Sequence, residues 1–226
     1  MNVLAVTAML LLGPGVENAF YAMDTCTKRP YPRSDIPPAA QLDMLKELGY
    51  AGIAWTEEPP EQVADVVREA QARGLKMHAI YCAARVTPEG TLSYSAQVKP
   101  ILRALKGHGT ILWLHVGGKG PAFDTLKGDE PLFTTLRDLA DEAAANGLRV
   151  ALYPHVGEWT ERVQNAVRVA KLVDRKSFGV TFNLCHCLAM GDEARIPELL
   201  AEAAPHLFTV TINGADAGVS GANWGR

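Results

Sequence analysis

Three apolar stretches of this chain each deliver a histidine at the same end. They are Trp113-Leu114-His115-Val116, Ala151-Leu152-Tyr153-Pro154-His155 and Phe182-Asn183-Leu184-Cys185-His186. Imidazoles titrate near neutral pH, exchange protons and bind divalent metals, so three of them at one end of a sheet point to proton transfer or metal binding. Tyr153 precedes His155 by two residues and shares its face on an extended strand. Its phenol is placed to donate to a developing oxyanion. Asn183 stands three residues before His186, where the strand should end. Glu158, in the loop after His155, and Glu57, after Trp55 and Thr56, supply carboxylates at the same end. Lys119 and Trp159 offer a cation and an aromatic face for a hydroxylated ligand.

Those residues need strands to carry them and helices to cover the strands. The hydrophobic pattern predicts strands at 20–25, 51–55, 76–82, 110–116, 149–155, 178–184 and 207–212. Helices are expected at 37–48, 60–73, 95–106, 130–146, after the fifth strand through 173, and at 196–203. Pro37-Pro38 opens the first, and Gly49, Gly74, Gly107 and Gly147 stop four of them. Regular strand–helix alternation at about 30 residues per step means a parallel sheet. Seven such strands favour a (β/α)8 TIM barrel, incomplete at the C-terminus, because residues 214–226 supply no eighth strand. In a parallel barrel the chemistry collects at the C-terminal ends of strands. Strand parity places Thr181, Asn183 and Cys185 on one face, and Thr209, Thr211 and Asn213 on another. These polar faces should look into the barrel.

The bulk numbers agree with a globular protein: 226 residues, 48% hydrophobic, 21% charged, and a net charge of -3. Lys and Arg are scattered, and no basic stripe suggests nucleic acid as a partner. No segment is long and apolar enough to suggest a membrane span. Four cysteines without CxxC spacing read as small buried residues rather than as a disulfide framework. Residues 1–19 form a separate leader. The apolar run Val3–Leu12 resembles the core of a signal peptide but lacks a preceding Lys or Arg; the alternatives are an unstructured leader or a first strand. The compartment is therefore cytoplasmic, periplasmic or exported. Residues 20–226 are expected to form one barrel domain.

Several stretches together carry a resemblance. They are Leu45-Lys-Glu-Leu-Gly-Tyr-Ala-Gly-Ile53, Arg73-Gly-Leu-Lys-Met-His78, Asn146-Gly-Leu-Arg-Val-Ala-Leu-Tyr-Pro-His155 and Asn183-x-x-His186. With the strand–helix rhythm, they make the chain resemble the xylose isomerase-like TIM barrels, which include sugar isomerases, sugar 3-epimerases and an apurinic endonuclease branch. The resemblance implies a divalent metal (Mn, Zn or Mg) at the barrel mouth, with His186 and His155 as its ligands here. It departs from the family pattern where Tyr153 and Asn183 replace expected carboxylates, where Asn213 lies near the ligand from the seventh strand, and where the Glu ending an eighth strand has no counterpart.

The function that the resemblance implies is isomerase or epimerase chemistry on a small carbohydrate or keto-sugar, by proton transfer next to a carbonyl. His155, His186, Tyr153 and Glu158 would be the catalytic set. Asn183, Asn213, His115, Lys119, Glu57 and Trp159 would contact substrate. The alternatives are a carbohydrate-binding barrel without catalysis and an apurinic-site endonuclease.

Overall fold

The helix signals of the sequence are realised in order along the chain. In a computed structural model describing residues 18–24 and 36–212, strand β1 (Tyr21–Met23) leads to α1 (Pro38–Glu47), β2 (Gly52–Thr56) and α2 (Pro60–Ala72). Then follow β3 (Lys76–Val86), β4 (Leu92–Tyr94), α3 (Val98–Ala104), β5 (Ile111–Gly118) and α4 (Pro131–Ala145). The remaining elements are β6 (Arg149–Leu152), α5 (Val163–Val173), β7 (Phe178–Asn183), α6 (Leu184–Ala189), α7 (Ile196–Ala203) and β8 (Leu207–Thr211). Asn213, Cys26 and residues 1–17 lie outside the described residues.

Prolines sit in the first turn of α1, α2, α4 and α7, where a missing N–H loses no helical bond. Helix α4 ends before Gly147, which takes a left-handed φ of 71° that an L side chain resists. Several elements differ from the sequence reading, three of them in ways that shape the site. Strand β3 runs four residues further, to Val86, and its extension folds back antiparallel onto β4. Strand β6 stops at Leu152, just before the Tyr153-Pro154 pair turns away. A short helix, α6, follows β7 at once and carries His186.

The seven parallel strands pair in the order β1-β2-β3-β5-β6-β7-β8, as a (β/α)8-type barrel requires. The sheet curls. His78 Nε2 of β3 lies 3.2 Å from Thr209 Oγ1 of β8, although three strands separate them along the sheet. The outward side chains Ile53, Ile80, Leu112, Leu114, Val150, Leu152, Val180 and Phe182 pack under the helices with Leu42, Val63, Leu136 and Val167. Each such burial contributes about 1.5–3 kcal/mol. A second, smaller apolar cluster fills the lumen: Ala54, Ala79, Ile111, Trp113, Ala151 and Tyr153, with Met23, Tyr81 and Phe208 against it.

Two bulges shape the floor of the lumen. Pairing jumps from Ile53↔Met77 to Ala54↔Ala79, which leaves His78 as an extra residue. It jumps from Val180↔Leu207 to Thr181↔Thr209, which leaves Phe208 extra. Strict alternation would send Phe208 toward the helices. The bulge instead puts its ring among the lumen side chains, under the Arg149 guanidinium at 4.6 Å. Gly179 makes room for it, since a Cβ there would lie 2.8 Å from the ring. Thr209 faces the lumen as its parity predicts.

His78 stacks on Tyr21 at 3.9 Å. Burial, aided by Lys76 and Arg149, lowers its pKa to about 4. An unfolded histidine takes a proton below its ordinary 6.5, whereas this one stays neutral until about pH 4. Unfolding therefore takes up a proton across that window, and stability is lost as pH falls from about 6.5 to about 4. His78→Gln, which keeps a donor toward Thr209 but cannot titrate, is expected to flatten that part of the decline. Urea midpoints measured between pH 7 and 4 check this; a slope identical to wild type refutes it.

Candidate functional site

The site is built by the loop that follows β6. Tyr153 keeps one more ladder bond, its N–H donating to the Leu114 carbonyl at 2.9 Å. The chain then turns through Pro154, His155, Val156 and Gly157. The His155 N–H donates to Thr160 O at 3.1 Å, the Glu158 N–H to His155 O at 3.1 Å, and the Trp159 N–H to Val116 O at 2.9 Å. These bonds stitch the loop to the end of β5.

Hydrogen-bond partners assign the protons on these imidazoles. His155 Nδ1 lies 2.9 Å from the Val156 carbonyl, which can only accept, so Nδ1 carries a hydrogen, and in the neutral ring Nε2 holds the lone pair. His186 Nδ1 accepts the Val156 N–H at 3.3 Å, so its hydrogen sits on Nε2. The two rings are 4.0 Å apart. Burial, with His155 beside it, drives the His186 pKa down to about 3, and the ring stays neutral. His115 Nδ1 donates to Glu158 Oε1 at 2.7 Å, and its ring stacks on Tyr81 at 4.4 Å.

His155 and His186 open onto a cavity of about 280 Å³ inside the mouth of the sheet. Its other walls are Met23, Asp24, Ala54, Trp55, Thr56, Tyr81, Trp113 and Tyr153. Tyr81 and Tyr153 meet edge to face at 4.9 Å. Burial pushes the Tyr81 phenol up, so it remains protonated. Asp24, buried at the end of β1, accepts the Thr56 N–H at 3.0 Å and the Thr56 hydroxyl at 2.5 Å. Tyr81 and Thr56 are lining residues that the opening histidine pattern did not single out, and Trp113 stands in its first stretch without a role assigned to it. The parity that selects Tyr153 would have found them, because each sits at or near the C-terminal half of a strand and faces inward.

The sequence candidates divide by position. Tyr153, His155 and His186 line the cavity, and the His115–Glu158 pair stands at its edge behind Tyr81. Asn183 does not line it. Its Oδ1 caps α6 by accepting the His186 N–H at 3.4 Å, and its Nδ2 reaches Pro154 O at 3.5 Å. Glu57 faces the buried Cys82 thiol, whose pKa is raised by burial and by that carboxylate. Trp159 stacks on Phe123 at 4.6 Å and donates to Pro121 O at 3.0 Å, and Lys119 follows β5 outside the lining.

A resident divalent metal does not fit the described residues. Among them, no group of three or more His, Cys, Asp or Glu side chains could hold a metal ion. Of the two expected ligands, His186 has its Nδ1 lone pair committed to a backbone N–H and its Nε2 protonated, and only His155 Nε2 offers a lone pair. Magnesium and manganese prefer several oxygen ligands. Tyr153 and Asn183 present a phenol and a capping amide where carboxylates would serve.

Among the described residues, seven parallel strands alternating with helices, with polar side chains gathered at the C-terminal mouth, define a TIM-barrel protein. More narrowly, the chain belongs to the xylose isomerase-like TIM barrel family, whose pattern matches residues 42–225. Among solved structures, a D-allulose 3-epimerase from Methylomonas sp. in complex with D-allulose is 15% identical, with TM-score 0.64, covering 91% of this chain and 77% of that one. A 3-keto-D-glucoside 4-epimerase from E. coli is 17% identical, with TM-score 0.57, covering 79% and 75%. A xylose isomerase-like TIM barrel protein from Mycobacterium smegmatis in complex with magnesium is 17% identical, with TM-score 0.60, covering 88% and 75%. At these identities the likeness establishes the fold. A search of curated proteins by sequence finds no match. No helix among the described residues is long and apolar enough to cross a membrane.

The capping role of Asn183 is directly testable. Asn183→Ala is expected to lower stability by about 0.5–2 kcal/mol, as loss of an N-cap does, and Asn183→Asp to retain most of it. Chemical denaturation measures both; equal losses in the two variants would show that the cap is not what Asn183 provides.

Proposed function

We propose that this chain is an enzyme of the sugar isomerase/epimerase type, moving a proton at a carbon next to the carbonyl of a keto-sugar. The carrying observation is the pair of imidazoles 4.0 Å apart on the wall of the mouth cavity, one with its Nδ1 on the Val156 carbonyl and the other with its Nδ1 on the Val156 N–H. His155 Nε2, with its lone pair, is the base that removes the proton from carbon. His186, neutral with hydrogen on Nε2, is the donor to the carbonyl oxygen as it gains charge. A neutral imidazole suits that task because it polarises oxygen without first losing a proton to solvent. Donors fixed before the reaction stabilise the developing oxyanion without reorganising.

The Tyr153 phenol adds a second donor beside the pair, within 6.2 Å ring to ring of His186. Tyr81 and Trp113 supply apolar faces against which a sugar ring packs, and they keep bulk water from the enediolate. Asn183 acts at one remove, by holding the first turn of α6 and hence the His186 backbone. The names of the solved neighbours, two of them sugar epimerases, support the substrate class.

Incubation with D-allulose, other ketohexoses and 3-keto-glucosides in D2O tests the reading, with and without added Mn2+ or Zn2+. Deuterium should enter the carbon next to the carbonyl. His155→Asn and His186→Asn should each slow entry by about 10²–10⁴-fold. If wild type raises its melting temperature with sugar yet exchanges no proton under any of these conditions, the barrel binds carbohydrate without catalysis and the enzymatic reading is lost.

A further inference from the structure

We infer that the Arg162–Asp192 ion pair holds the His186 imidazole against the Val156 N–H, which makes Arg162 a positioning residue for the donor of the site. This inference rests on the proton-transfer function proposed above and adds what keeps its donor in place.

His186 rides on α6, a helix of six residues. So short a helix has little stability of its own and takes its position from what it packs against. It faces the loop after β6 across a crevice walled by Pro154, Glu161, Arg162, Cys187, Met190 and Asp192. With about 10 Å³ of free space, the crevice has no room for a ligand larger than one water. It is a seam between two segments, and its width sets how closely His186 approaches Val156.

The neutral hydrogen bonds that cross this seam are long. Val156 N–H reaches His186 Nδ1 at 3.3 Å, and Asn183 Nδ2 reaches Pro154 O at 3.5 Å. Both lie beyond the usual N–H donor distance of about 2.7–3.2 Å. Arg162 supplies a charged tie. Its Nη1 pairs with Asp192 Oδ2, and its Nη2 donates to Met190 O at 3.3 Å. Asp192 is buried and Arg162 is partly so. A hydrogen bond between ionised partners is roughly twice as strong as a neutral one, so the ion pair sets the width of the seam and the longer bonds follow it.

Both ends of this tie are anchored. The Arg162 carbonyl accepts the Asn165 and Ala166 N–H groups at 3.1 and 3.2 Å, which fixes it at the start of α5. On the other side, the Asp192 N–H donates to Cys187 O at 3.1 Å and the Met190 N–H to His186 O at 3.0 Å. Arg162 thus grips the two residues that close the last turn of α6 onto His186. Arg195 Nη1 stands 3.7 Å from Asp192 Oδ1, but its Nε and Nη2 are engaged by Glu198 at 3.2 and 2.8 Å, so it is no substitute.

The test uses the whole chain, labelled with 15N-histidine, and reads the His186 ring nitrogens by NMR beside deuterium entry from D2O into ketohexoses. Wild type should show one His186 tautomer, with Nδ1 unprotonated. Arg162→Met, which keeps the stem and removes the fork, should give an average of both tautomers and lower kcat for exchange by about 10-fold or more with KM little changed. Arg162→Lys, which keeps the charge, should restore the single tautomer and most of the rate. Circular dichroism melts confirm folding; should Arg162→Met not fold, Asp192→Asn decides by the same readouts. A folded variant that melts lower yet keeps the wild-type His186 signals overturns the assignment, because the pair then supports the fold alone. Failure of both variants to fold overturns it on the same ground. Wild type that exchanges no proton with any keto-sugar, while Arg162→Met still loses the tautomer, removes the proton-transfer function and leaves the positioning of His186 standing.

Discussion

One backbone residue presents an acceptor to one imidazole of the mouth and a donor to its neighbour. Val156 gives its carbonyl to His155 Nδ1–H and its N–H to His186 Nδ1, so a single peptide segment makes one imidazole an acceptor and its neighbour a donor. Nothing about two histidines in contact would otherwise make them different. The loop that fixes Val156 is in turn fixed by its bonds to β5, through Tyr153 N–H to Leu114 O and Trp159 N–H to Val116 O. The geometry at the mouth therefore depends on the β5–β6 pairing below it. A displacement of the loop by a fraction of an ångström would exchange a well-aligned bond for a lost tautomer preference.

The barrel beneath supplies rigidity and, in its floor, an unusual polarity. The outer layer between strands and helices is dominated by apolar side chains, whereas the lumen mixes aromatic rings with His78 and threonines, with Arg149 over the Phe208 ring at its end. His78 ties β3 to β8 across the lumen, stacking on Tyr21 of β1 as it does so. That side-chain link holds together strands that share no backbone ladder among the described residues. Two bulges place the aromatic rings that make this floor, and Gly179 clears the space that one of them needs.

The elements were largely legible because the helix signals are local: prolines in first turns, glycines past last turns, and leucines at helical spacing. The extension of β3 and its hairpin with β4 were not, because that pairing joins residues whose partners the sequence pattern does not name. Among the candidate residues, His155, His186 and Tyr153 were legible from their place after strands, and the structure brings them to one cavity. Asn183 shows the limit of spacing as a signal. An N-cap and the third residue of its helix stand three apart, as a pair of metal ligands on one turn would, so only the hydrogen bond to His186 N–H distinguishes them. Glu57 and Trp159 sit in the right loops but turn to Cys82 and Phe123, and side-chain direction in a loop is set by contacts that no periodicity encodes.

The bulge at His78 also separates length from register. Met77 and Ala79 already oppose Ile53 and Ala54, so a β3 shorter by that one residue would pair with β2 as an unbroken ladder. Tyr81 would still stand opposite Thr56, and the mouth would keep its geometry while the floor lost its imidazole. The strand behaves as a telescoping joint whose slack lies entirely at the bottom of the barrel. The polar floor and the mouth are thereby free to diverge separately, one residue at a time.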